Sequence, residues 1–173
     1  MPTASVLSRI TRRTMDDWQD RVDAVWDDDT LSDDDRVRAI DALALERTAE
    51  DPVALFERAG ARDSAGAEMA AVSFYRRALA AGLDESRREQ ATIQLASTLR
   101  TLGRIDESLR MLKEERERGG ALSDEAAAFY ALALVSAGDS VGAASIALET
   151  LAPHLSQYRR SVTAYARELR TTR

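Results

Sequence analysis

The chain has 173 residues, 45% of them hydrophobic and 31% charged, with 24 basic against 30 acidic side chains. A net charge of -6 argues against non-specific nucleic-acid binding, which needs a basic surface to neutralise phosphates. Cysteine is absent, which excludes disulfides, thiolate nucleophiles and thiolate metal sites and suits a reducing compartment.

The opening stretch, MPTASVLSRITRRTMDD, carries basic residues but no apolar run of the length a signal peptide or membrane span needs. The expectation is a cytoplasmic protein without membrane contact. Heavy use of Ala, Arg and Asp, with Lys113 the single lysine, suggests a GC-rich bacterial genome.

Thr14 and Asp17 are placed like a capping box. Trp18, Val22, Val25 and Trp26 follow at helical spacing, which predicts core rather than a binding patch. Two aspartate triplets come next, Asp27 to Asp29 and Asp33 to Asp35. They lack the alternating oxygen ligands, turn glycine and distant glutamate of a calcium loop. The second triplet suits a helix N-terminus, with Ser32 as cap and Val37, Ile40 and Leu43 as the stripe. The first falls at a predicted helix C-terminus, where the helix dipole disfavours acids. Residues 1–51 therefore read as a helical hairpin, a degenerate repeat or a cap.

Asp51 followed by Pro52 combines an N-cap side chain with a residue preset for the first helical position, predicting a helix from Pro52 to about Ser64. Gly82, Leu83 and Asp84 close one helix and cap the next. Gly119 and Gly120 read as a plain loop, Ser123 and Asp124 start another helix, and Pro153 ends the one before it. No window shows the sustained alternation of a strand, so the chain is predicted to be all-α.

A repeat runs through the middle. Gly66, Gly103 and Gly138 lie 37 and 35 residues apart, close to the period of about 34 of two-helix repeats. Ala59, Ala96 and Ala131 stand seven residues before them, and Ala71, Ser108 and Ala143 five after. Nine after come Tyr75, Leu112 and Ala147, an alignment that decays toward the C-terminus without slipping. Antiparallel helices approach closely where facing side chains are small, and a bulkier residue one turn later fills the adjoining gap. This predicts three helix pairs over about 52–82, 84–118 and 123–152.

These offsets, with SAGAEMAAVSFYRRALAAGL and IQLASTLRTLGRIDESLRML, resemble the tetratricopeptide repeat family, especially its bacterial group 5, over about residues 52–152. The resemblance implies a right-handed superhelical solenoid of antiparallel helix pairs whose concave groove is lined by the first helix of each pair. It also implies a non-catalytic module that binds a protein or peptide partner and carries no cofactor. Where the family prefers alanine late in the second helix, Ala78 fits, whereas Glu115 and Thr150 depart. LSQYRRSVTAYARELR would supply the C-terminal capping helix, within 153–173, with Tyr158, Val162 and Tyr165 turned inward.

By the same resemblance the groove would present Phe56, Glu57, Gly60 and Asp63 from the first pair. The middle pair would add Gln90, Ile93, Gln94, Ser97 and Arg100 or Thr101, and the third Glu125, Phe129 and Leu132. Apolar anchors mixed with polar side chains suit an extended or helical peptide. Chaperone-binding relatives clamp a terminal carboxylate with cations; Phe56, Gly60, Gln94, Glu125 and Phe129 stand at those places, so no such clamp is expected. His154, the only histidine, has no evident partner, which rules out a multi-histidine metal site and speaks against a catalytic triad. No phosphate-binding or dinucleotide glycine pattern occurs.

Charge supplies an alternative reading. Residues 16–51 hold 14 Asp or Glu against four Arg, whereas residues 154–173 hold five Arg against one Glu. Ends of opposite sign could pair between molecules, making a structural, self-associating homo-oligomer.

Overall fold

The computed structural model describes residues 17–171; Thr14 and most of the basic opening stretch lie outside them. Every regular element among the described residues is helical. Helix α1 covers 17–27, and it is followed by α2 (Asp33–Ala44), α3 (Pro52–Ser64), α4 (Glu68–Ala81), α5 (Glu85–Thr101) and α6 (Ile105–Arg118). Then come α7 (Ser123–Ser136), α8 (Ser140–Leu151), a 3-10 turn (Ala152–His154) and α9 (Arg159–Thr171). The chain forms two compact units, one ending at Ala81 and one beginning at Gly82.

In the first unit, Trp18 and Val22 are core residues, packed with Ile40, Ala44, Ala54 and Ala61. The Trp18 indole N–H donates to the Leu43 carbonyl at 2.8 Å, satisfying one of the carbonyls that the end of α2 leaves without a helical partner. Ser32 caps α2 by accepting from Asp35 N–H at 3.2 Å. The first aspartate triplet also finds its reason. Helix α1 stops at residue 27, and Asp28 accepts from the Thr30 N–H and hydroxyl at 2.9 and 2.6 Å. It builds the turn rather than burdening a helix end.

Asp51 caps α3 through Ala54 N–H at 2.9 Å, with Pro52 at the first helical position. Asp41 of α2 receives Arg58 at 2.8 Å and Arg62 at 2.8 Å from α3. The guanidinium carbons of Arg58, Arg62 and Arg77 stand 4.3, 4.6 and 5.4 Å from the centre of the Phe74 ring. The cation–π contacts of Arg58 and Arg62 tie α4 to α3, and their ion pairs with Asp41 tie α3 to α2.

The three repeat glycines make one recurring turn. Their φ values are +70, +76 and +84°, and the next N–H closes back five residues each time. Ala67 donates to Arg62, Arg104 to Leu99 and Asp139 to Leu134, at 2.8, 2.8 and 2.9 Å. This is the six-to-one bond of a left-handed helix terminus. The small positions Ala59, Ala71, Ala96, Ser108, Ala131 and Ala143 are all buried, and Tyr75 and Leu112 are fully so. The register does slip in the third pair. Ala147 is exposed, and Ile146 fills the core instead, because a methyl group is too small for the gap that a tyrosine or leucine fills in the other copies.

The second unit is stitched by buried acids. Glu115, where the family prefers alanine, is 3% exposed and takes both terminal nitrogens of Arg88 at 2.7 Å. Glu115, then Glu85, holds Arg88 above the ordinary guanidinium pKa. Glu89, also buried, accepts from the N–H groups of Ala121 and Leu122 at 3.2 and 3.1 Å. That replaces a side-chain cap on α7, whose N-cap is Leu122 rather than Ser123. Gly120 is therefore more than a loop residue: a Cβ there would sit 1.8 Å from Glu89 Oε1.

The terminal helix α9 is rotated from its expected phase. Tyr158, with φ +63°, precedes the helix and is exposed, as is Tyr165. Ala166 is fully buried, and Ser145 donates to its carbonyl at 2.6 Å. So close a backbone approach admits only a small residue at the contact, which places Val162, Thr163 and Ala166 inward and swings Tyr165 out.

Candidate protein-interaction face

In the first unit the expected groove face is already occupied. Glu57 is buried and accepts from the Trp26 indole N–H at 2.8 Å. A Cβ on Gly60 would stand 3.4 Å from Trp26 Cζ2. Phe56 is buried, with its ring centroid 6.3 Å from that of Tyr75, and half-buried Asp63 accepts from the Tyr75 hydroxyl at 3.4 Å. Burial and, after it, the Asp63 charge push the Tyr75 phenol above its usual pKa. Glu57 and Gly60 are thus closed over by Trp26 of α1, and Phe56 and Asp63 lie against Tyr75 of α4.

The second unit keeps part of the face open. Helices α5 and α7 are the first helices of consecutive pairs and touch each other. The 35-residue offset makes Gln90 equivalent to Glu125, Gln94 to Phe129, Ser97 to Leu132 and Arg100 to Val135. Gln90, Thr101 and Glu125 are exposed, and Leu132 and Val135 are 50% and 53% exposed. Ser97, Gln94 and Arg100 are half-buried. Gln94 Oε1 and Arg100 Nε are shut off from solvent without a hydrogen-bond partner, so those two residues turn polar atoms inward. Ile93 is buried, and Phe129 packs on the same core cluster; both belong to the interior more than to the surface.

Val135 was missed because α7 is apolar all round its circumference, ALALVS at its end, and periodicity cannot tell an exposed valine from a buried one there. Ala128 is likewise exposed, so residues 128, 132 and 135 form a short apolar ridge at helical spacing. Beside it runs the polar ridge of α5.

His154 does have a partner: its Nε2 lies 2.9 Å from Asp124 Oδ2, with both side chains exposed. Among the described residues no group of three or more His, Asp or Glu could hold a metal, and no helix is long and apolar enough to cross a membrane.

A family model described as Tetratrico peptide repeat matches residues 52–169. The chain belongs to this family. The match runs beyond residue 152 and takes in nearly all of α9, so the terminal helix lies within the family's span rather than beside it. Tetratricopeptide repeats generally mediate protein–protein interaction and are generally non-catalytic. No curated protein and no solved structure matches the chain.

Proposed function

We propose that the chain is a non-catalytic binding module whose working surface is the α5–α7 face of the second unit. It takes a protein segment that sets one or two apolar side chains on Leu132 and Val135 and hydrogen-bonds to Gln90, Ser97 and Thr101. The observation that supports this reading is the ridge at Leu132 and Val135, each half in solvent on a repeat helix, beside a polar ridge on which Gln90 and Thr101 are exposed and Ser97 half-buried among the described residues. Apolar contact contributes most of the affinity in such a groove, and polar neighbours set register and specificity. In the first unit the corresponding face of α3 is closed at Glu57 and Gly60 by Trp26.

The experiment is affinity capture with the wild type, a Leu132→Glu and Val135→Glu double variant, and an Arg110→Ala control on α6, all matched by circular dichroism. A partner retained by wild type and control and reduced at least tenfold by the double variant supports the face. Equal recovery on all three removes it.

A further inference from the structure

The second unit holds a concavity of about 370 Å³ away from the face just described, lined by α6, α7, α8 and α9. Its apolar wall is Tyr130, Leu134, Val141, Ile146 and Leu169, and its cations are Lys113, Arg116 and Arg170. The acids on the lining are already engaged. Asp139 caps α8 through Gly142 N–H at 2.8 Å, and Glu117 stands 3.9 Å from Lys113. Arg170 reaches Glu149 at 2.6 Å, whereas the Arg116 guanidinium has neither a hydrogen-bond nor an ion-pair partner among the described residues. Such a site asks for an apolar side chain of leucine size flanked by carboxylates.

The chain itself carries that combination. The α1–α2 turn reads DDDTLSDDD over residues 27–35, with half-exposed Leu31 between the two aspartate triplets. Asp28 is spent on the turn itself, while Asp33 and Asp35 are neutralised within α2 by Arg36 and Arg38. Asp27, Asp29 and Asp34 have no cation partner among the described residues. The turn is held short by Leu31 N–H donating to the Asp28 carbonyl at 3.3 Å, so the leucine and the free acids sit together at one tip.

We propose that the concavity of one molecule receives the Asp27–Asp35 turn of a second copy, with Leu31 on the apolar wall and free aspartates against Arg116 and Lys113. The contact joins two different surfaces of the chain, so each copy offers both a turn and a concavity to its neighbours. Pairing two concavities would instead oppose cation to cation. This inference is independent of the α5–α7 reading, since it engages other residues.

The test is sedimentation velocity of the full chain over a wide concentration range, in dilute and in high salt. Variants are Arg116→Glu, Lys113→Glu, Leu31→Asp, and a chain carrying both Arg116→Glu and Asp29→Arg, each checked by circular dichroism. The expected result is concentration-dependent association that high salt weakens about tenfold. Each single variant abolishes it, and the double exchange restores it. A synthetic peptide DDDTLSDDD, but not its Leu31→Asp form, then binds wild type and competes with assembly. A monomer at every concentration overturns the proposal, even if the peptide binds. So does association that ignores both Arg116→Glu and Leu31→Asp.

Discussion

Glu89 carries one of the few acids buried in the protein, and its two accepted N–H bonds organise the start of α7. The neighbouring glycine is what lets that carboxylate lie against the loop. A methyl group on Gly120 would overlap Glu89 Oε1 and push the carboxylate off its donors. Hydrogen bonds to a charged group contribute about 1.5–3 kcal/mol each, so Gly120→Ala should destabilise the protein by about 2 kcal/mol or more in urea unfolding. In a Glu89→Ala background the same substitution should cost almost nothing, because the group it displaces is gone. Additive losses in that double-mutant cycle would separate the glycine from the acid. Arg88 and Glu115 make the related point: an acid where the repeat prefers alanine is tolerated because a guanidinium meets it from α5.

At the level of elements, the glycine turns are interchangeable parts. Gly103 has φ +76° and open space where a Cβ would go, so Gly103→Ala isolates backbone strain from packing. The expected loss is about 1 kcal/mol, read from the urea midpoint at unchanged slope, and Gly103→Asn should cost less because asparagine tolerates the left-handed region. Such turns, and the caps at Asp51 and Asp84, were legible in the sequence because each depends on one or two local residues. The phase of α9 was not. Tyr158, Val162 and Tyr165 repeat like a buried stripe, yet the contact at Ser145 and Ala166, 21 residues apart, decides which side faces in. The candidate face divides in the same way. The resemblance to the repeat family turns Gln90, Glu125 and Leu132 outward, and all three are exposed, whereas Glu57 is buried under Trp26, 31 residues before it, and Phe56 against Tyr75. Distant partners leave no trace in local spacing.

For the molecule as a whole, charge couples stability to pH through the first unit. Burial raises the pKa of Asp41, but hydrogen bonds and charges from Arg62 and Arg58 outweigh it and leave the folded value below the ordinary 3.8. A carboxylate depressed in the folded state contributes stability that is complete above its unfolded pKa and is lost as pH falls through the folded one. Unfolding should therefore become easier below about pH 4. Both tryptophans, Trp18 and Trp26, belong to this unit, so tryptophan fluorescence reads its transition. Arg62→Ala should flatten the acid dependence while lowering stability at neutral pH; an acid profile identical to wild type would show that the Asp41 cluster does not set it.

Lys113, on the exposed side of α6, is the only lysine in a chain without cysteine. Amine-selective side-chain chemistry therefore has a single address, at the rim of the concavity and off the α5–α7 ridge. A fluorophore attached there sits where the neighbouring copy would dock and would report that encounter directly. A surface tether at the same atom would block that encounter while leaving Leu132 and Val135 free to meet a partner.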